Sequence, residues 1–369
     1  MKVLLLSQDN PYDLGNWSGT PYFLTKKLVE KGYLSTARSL NISPVSKLLS
    51  LDLKRTIKYR KPVSNLRYSS LFDKVIRKRF IELDKNPQWD VVLEIGDLGH
   101  FPHTPFFIYL DMDYDTLIRY YENNGRPAPG FEFLEMNDLK RLRDRQYRLF
   151  RKAAGVFTMS NYIRESILDT GILKANQVHA VGAGYNFPDF EGPWRSEESY
   201  SSKNILFVGK DFRLKGGELL LEAFRILKSK DSSVSLTIAG PKEPIEGSGI
   251  KWLGFVDKNT LAKLYREAAV FCMPSKFECF GIVFIEAMQM GLPVIGANRM
   301  AMAEFIEPGI NGELLFHETP EALAGLLGEL LNNPKKLMVM GEASRNTAKA
   351  YTWSRVVECI ISGMRAALD

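Results

Sequence analysis

Residues 270–296 read VFCMPSKFECFGIVFIEAMQMGLPVIG, and the architecture can be argued from this stretch. Val270–Met273 is a short apolar run of strand length, closed by Pro274-Ser275. A helix is expected from Ile282 to Met290, opening at Gly281, and Val294–Gly296 is again a strand. Strand, loop, helix and strand in that order are the repeating unit of a parallel-sheet α/β protein.

The same alternation continues on both sides of this stretch. Upstream in the second half come strand Asn204–Val208, helix Gly217–Lys228, strand Val234–Ala239, strand Ile250–Leu253 and helix Lys258–Ala268. The first half offers strands Val3–Ser7, Val91–Ile95, Phe106–Leu110 and Val156–Ser160, with helices over Pro21–Glu30 and Leu139–Ala153. Between the halves, Phe187–Ser202 holds Pro188, Gly192, Pro193 and several serines, which reads as a linker. The expectation is two doubly wound Rossmann-like domains facing each other across a cleft. Residues 1–192 form the first and 193–352 the second, and an amphipathic helix over 353–369 packs back on the first. In such folds ligands sit beyond the carboxyl ends of the strands. The chemistry should therefore lie in the loops that follow them.

Length and composition agree. The chain has 369 residues, 45% hydrophobic and 25% charged, which suits two folded cores and excludes disordered, collagenous and small disulfide-rich classes. No stretch reaches the roughly 18–20 continuous apolar residues of a membrane span. The N-terminal apolar run is shorter than a signal peptide's core of roughly 7–15 residues, so it reads as a buried strand. Three cysteines without metal spacing (Cys272, Cys279, Cys359) point to a reducing compartment, and the cytoplasm is expected. The net charge is +6, and residues 47–85 hold twelve basic and four acidic side chains interleaved with apolar ones. That segment is either a pair of helices with solvated basic faces or a surface for anionic lipid or a polyanionic acceptor, at the inner face of the membrane. No nucleic-acid-binding motif accompanies the charge.

Several chemistries are absent from the sequence. There is no GxxxxGK[ST] loop and no Gly-x-Ser-x-Gly elbow, and Gly182-Ala183-Gly184 lacks the third glycine of a dinucleotide fingerprint. His100, His103, His179 and His317 have no zinc spacing. What is present lies in two loops of the second half. Gly209-Lys210-Asp211-Phe212-Arg213-Leu214-Lys215-Gly216-Gly217 follows a strand and opens a helix, so two lysines and free N–H groups meet where a diphosphate would bind. Glu278 and Glu286 stand eight residues apart, the first in a loop and the second inside an apolar helix. A carboxylate among apolar neighbours needs a partner, and the paired hydroxyls of a sugar suit it.

This ordered set resembles glycosyltransferase family 4, retaining enzymes of the GT-B fold. The resemblance extends to Leu253-Gly254-Phe255-Val256, to Trp17-Ser18-Gly19-Thr20, and to Val181-Gly182-Ala183-Gly184-Tyr185-Asn186. It implies that Lys215 neutralises the donor's diphosphate and that Lys210, where many members carry Arg, assists. Gly209 belongs to the same phosphate loop. Glu286 would hold the ribose hydroxyls and Glu278 the donor sugar, with the backbone of Phe280, Gly281, Ile282 and Val283 beside sugar and phosphate. The base would lie near Pro241, Phe255 and Val256, and Gly19 would let the N-terminal loop approach the diphosphate. Many members have a histidine after the fourth N-domain strand, whereas this chain offers Asp111 there.

Asp111-Met112-Asp113 also imitates an Asp-x-Asp metal site. With two lysines supplying positive charge, no metal and no cofactor are expected. The implied activity is transfer of a hexose from a nucleotide sugar, UDP-glucose foremost and GDP-mannose next, to a saccharide or lipid-linked acceptor in polysaccharide assembly. The anomeric configuration is kept. The rivals are a nucleotide-sugar epimerase or phosphorylase of similar fold, and a non-enzymatic sugar-binding protein.

Overall fold

The computed structural model describes residues 1–40, 70–187 and 195–369. It divides into two compact units, Met1–Ala183 with Trp353–Asp369, and Gly184–Thr352. The boundary expected at 192/193 and the linker residues 188–194 lie outside the described residues. So do residues 41–69, which include most of the basic segment.

The first unit is built on six strands: β1 (Val3–Ser7), β2 (Leu34–Ser39), β3 (Val91–Ile95), β4 (Phe106–Leu110), β5 (Gly155–Thr158) and β6 (Val178–Ala180). They pair in the order β2-β1-β3-β4-β5-β6, every pair parallel. Its helices are α1 (Thr20–Glu30), α2 (Ser70–Leu83), α3 (Tyr114–Asn124), α4 (Met136–Phe150) and α5 (Asn161–Asp169). Every residue of β1, β3, β4 and β5 is buried. That is why these strands read as continuous apolar runs, since helices cover both faces of a parallel sheet.

The second unit contains a short α6 (Glu197–Ser201), then β7 (Asn204–Val208), α7 (Gly217–Lys230), β8 (Ser235–Ala239), β9 (Ile250–Trp252) and α8 (Lys258–Glu267). There follow β10 (Val270–Met273), α9 (Ile282–Gln289), β11 (Val294–Ala297), α10 (Met302–Phe305), β12 (Gly312–Leu315), α11 (Pro320–Leu331) and α12 (Pro334–Ala348). Its parallel sheet runs β12-β11-β10-β7-β8-β9. The chain builds outward from β7 through β9, then returns to the other side of β7 with β10. In the first unit the same reversal falls between β1 and β3.

The last helix, α13 (Trp353–Leu368), belongs to the first unit. It buries Trp353, Val356, Val357, Ile360, Ile361 and Met364 against that unit, packing on α1 and β5. At Gly363 an added Cβ would stand 2.7 Å from the Phe157 ring, so the close approach of α13 to β5 depends on that glycine. Lys31 closes the edge with a 2.7 Å ion pair to Glu358.

Three strands were not anticipated. β2 has an exposed and polar pattern because it is an edge strand, and β6 is three residues long. β12 is the opposite edge strand of the second sheet. Two boundaries shift for capping reasons. α4 begins at Met136 because the Glu135 N–H donates to Asp138, 3.1 Å away, in a capping box. β5 ends at Thr158 because Ser160 caps α5 instead, accepting from the Ile163 N–H at 3.3 Å. Among the described residues no helix is long and apolar enough to cross a membrane.

Ile360 is fully buried under the first sheet. Ile360→Ala should destabilise that unit by about 2–5 kcal/mol, the cost of a large-to-small core change. Urea melts followed by tryptophan fluorescence will show a midpoint displaced by that amount.

Candidate functional site

Parallel strands deliver all their carboxyl ends to one edge of the sheet. In the second unit, the loops after β10, β7, β8 and β9 are neighbours there because those strands are neighbours. Two glycines let the loops cross. Gly216 has φ +75°, and a Cβ on it would stand 2.0 Å from the Pro274 carbonyl oxygen of the β10 loop. Gly240 has φ +115°, and its Cβ would meet the Gly209 carbonyl at 2.6 Å. No other residue type permits either conformation and contact together.

This crossing sets Lys215 opposite Glu278. The Lys215 Nζ lies 2.7 Å from Glu278 Oε2, and both side chains are largely shielded from water. Gly209 lies under the Lys215 stem, where an added Cβ would come 3.0 Å from its Cγ. The Asp211 carboxylate accepts the Leu214 N–H at 2.8 Å and its carbonyl accepts the Lys215 N–H at 3.0 Å, which fixes the lysine's backbone. Gly216 is the N-cap of α7 and Gly281 that of α9, so both helices open toward the same loops.

On the β8–β9 side, the Lys210 ammonium lies 5.8 Å from the Phe255 ring centroid. Phe255 is 76% exposed, unusual for a phenylalanine. Pro241 accepts a 3.1 Å hydrogen bond from the Trp252 indole, which ties the β8 loop to β9. Val256 continues from Phe255 toward α8. Ile282 and Val283 form the first turn of α9, and the Val283 carbonyl accepts from the Tyr265 hydroxyl at 3.3 Å. The Phe280 side chain is buried beside Phe305 and Tyr351, so the backbone is what it can offer to the loops.

Glu286 is 1% exposed and makes a second lysine–glutamate pair. Its Oε1 lies 2.7 Å from the Lys258 Nζ, and the Tyr265 hydroxyl donates to Oε2 at 3.4 Å. The Asn186 backbone N–H also donates to it. Burial pushes the Glu286 carboxyl above its ordinary range, and Lys258 pulls it back down. Burial likewise pushes the Tyr265 hydroxyl well up, so it stays a donor. Lys258, Tyr265 and Asn186 were not singled out from the sequence. Lys258 and Tyr265 are seven residues apart, two turns along one face of α8, and that spacing was a readable signal.

Gly19 and Asp111 belong to the first unit. Gly19 (φ 88°) ends a turn in which Trp17 (φ 41°) and Ser18 (φ 57°) are also left-handed, at the mouth of α1 and after β1. Asp111 follows β4 and is half-buried. Asp113 is the N-cap of α3, accepting the Thr116 N–H at 2.8 Å, with its other oxygen taken by the Ser166 hydroxyl. Among the described residues no cluster of three or more His, Cys, Asp or Glu is placed to hold a metal.

Residues 193–347 match the family model of glycosyl transferases group 1. An uncharacterized glycosyltransferase of Methanocaldococcus jannaschii is 25% identical over 257 residues, 64% of this chain and 66% of that protein. The chain spans less than two thirds of the length of that relative and of others that it matches. Sucrose-phosphate synthase of Thermosynechococcus elongatus superposes with a TM-score of 0.71 at 17% identity, covering 100% of this chain and 99% of its own. HepE of Anabaena, solved in complex with UDP-glucose, gives 0.67 at 15% identity, with 99% and 100% covered. The chain has the GT-B fold, and residues 193–347 within it match the glycosyl transferases group 1 model.

Proposed function

We propose that this protein is a retaining glycosyltransferase that moves a hexose from a nucleotide sugar to a saccharide or lipid-linked acceptor in polysaccharide assembly. The observation that carries the reading is the Lys215–Glu278 pair at the reversal of the second sheet, at 2.7 Å. In this reading a diphosphate takes the Lys215 ammonium for itself. Glu278, released, turns its two oxygens to the hydroxyls of the attached sugar. Lys210 and the opened ends of α7 and α9 add positive charge and N–H donors around the phosphates. Phe255, exposed beside Lys210, offers a face to the base, with Pro241 and Val256 alongside. Glu286 accepts the two ribose hydroxyls.

Chemically, the bond from the anomeric carbon to the diphosphate oxygen breaks, and the acceptor hydroxyl oxygen bonds to the same carbon from the same face. The acceptor's proton passes to the departing phosphate. Lys215 then acts where charge develops, on the leaving group, which is where electrostatic stabilisation accelerates a reaction. UDP is the first base to test, since the HepE structure that shares the fold holds UDP-glucose. The basic α2 and the residues before it are proposed to meet anionic lipid at the cytoplasmic membrane face.

Lys215→Ala and Glu286→Ala should each lower transfer at least ~10²-fold, the loss typical of removing one electrostatic stabiliser. Radiolabelled sugar transfer from UDP-glucose and GDP-mannose to a saccharide acceptor mixture measures it, and wild-type rates in both variants refute the assignment. Appearance of an epimer from the nucleotide sugar alone would instead select an epimerase. Melting in the presence of UDP, GDP, ADP or CDP should rise for the matching base by about 2.7 kcal/mol of stabilisation at a hundred times its Kd.

A further inference from the structure

We propose that Lys258 is a positioning residue of the nucleotide site, holding the buried Glu286 carboxylate ionised and oriented so that both its oxygens can accept vicinal hydroxyls. The inference rests on reading Glu286 as the ribose acceptor. Its grounds are geometric. Glu286 is enclosed by apolar neighbours of α9, where an unpaired negative charge would be costly. Burial acts on it most strongly, and against burial work the Lys258 ammonium and the Tyr265 hydroxyl of α8 and the backbone N–H of Asn186. Of these three only Lys258 carries charge. Its Nζ reaches Oε1 at 2.7 Å and lies 4.7 Å from the centroid of the Phe187 ring. A cation on the face of an aromatic ring is held in place without taking up an acceptor, so the ammonium keeps its N–H donors for the carboxylate. The Lys258 side chain is 42% exposed and that of Glu286 2%.

The ionisation state decides what Glu286 can do. An ionised carboxylate is acceptor-only and takes two O–H donors in charge-assisted bonds. A protonated carboxyl turns one oxygen into a donor and accepts poorly from a diol. Burial already raises the Glu286 pKa. Without Lys258 the opposing pull is lost, and the proton is retained to higher pH. The sign follows: nucleotide binding by a variant without the ammonium should fail at low pH and recover as pH rises, over a range displaced upward from the wild type.

Calorimetric titration of the full chain with UDP, GDP, ADP and CDP, and with the 2′,3′-dideoxy form of whichever binds, tests this between about pH 5.5 and 9. The wild type should prefer the ribonucleotide and keep its affinity across most of the range. Lys258→Met should bind at least about tenfold more weakly near pH 6, the order of loss when a charge-assisted hydrogen bond is weakened. It should recover toward pH 9, and Lys258→Arg should restore the wild-type profile. In Lys258→Met/Glu286→Gln the pH dependence should vanish. A deficit in Lys258→Met that is equal at every pH would overturn the proposal, as would tighter binding, which would make Lys258 a mere competitor for the ribose. Equal binding of the ribo and dideoxy forms by the wild type would instead overturn the ribose reading of Glu286, and binding of none of the four diphosphates the nucleotide site itself. If Lys258→Met does not fold, Lys258→Gln carries the same comparison.

Discussion

The second unit is governed by a constraint of parallel sheets: every strand ends on the same edge, and a reversal in strand order leaves a crevice there. β7 and β10 are adjacent in space although β8, β9 and α8 separate them in sequence. Their loops must therefore cross, and they cross at backbone distance only because Gly216 carries no Cβ. Lys215 and Glu278 meet as a consequence of that crossing. A partly buried ion pair loses in desolvation much of what attraction gains, so it has too little net energy to assemble such a crossing on its own. The scaffold places the two charges, and their attraction only completes the arrangement.

The kind of cation used says what each cluster is for. In the first unit Arg145 is buried and spends its fork on fixed partners. It lies 2.6 Å from Asp73 and 3.2 Å from the Asp97 carboxylate, and donates to the carbonyls of Asp97 and Leu98. A planar guanidinium satisfied on all sides locks α4 to the β3 loop and leaves nothing over for a ligand. The second unit instead sets lysines against its two glutamates. An ammonium on a flexible stem can exchange one oxygen for another with little rearrangement, which the proposed exchange of carboxylate for diphosphate would require. The two glutamates differ in the same sense. Glu278 lies in a loop and can turn, while Glu286 is fixed in a helix and needs its charge maintained where it stands.

Much of this was legible in the sequence because the signals are local. Strands β1, β3, β4, β7 and β10 read directly, since burial on both faces leaves unbroken apolar runs. The glycine–lysine loop and the loop of Glu278 could be placed after strands and before helices because strand, loop and helix follow one another in the chain. What did not read depends on distant partners. β2 is an edge strand whose exposed residues erase the apolar run, and β12, also an edge, is only four residues long. Lys258 looks like any lysine at a helix start until α8 is folded against α9, and the Asn186 N–H reaches Glu286 from a hundred residues away in the chain. Arg145 likewise appears to be one more charge on a basic helix until its partners on α2 and the β3 loop are seen.

The first unit shows how a motif can mislead and how strain can inform. Asp111-Met112-Asp113 has the spacing of a metal-binding pair, but Asp113 already serves as a helix cap with both oxygens occupied, and a capping Asp after a strand is what a β–α connection ordinarily needs. The local fold explains that residue without any ligand. It does not explain Trp17 and Ser18. Two consecutive non-glycine residues in the left-handed region cost of order 1–3 kcal/mol each. They precede Gly19 at the head of α1, in the loop after β1, at this sheet's own order reversal. The strain sits in the loop after β1, and Gly19, itself left-handed at φ 88°, completes the turn so that α1 can begin at Thr20.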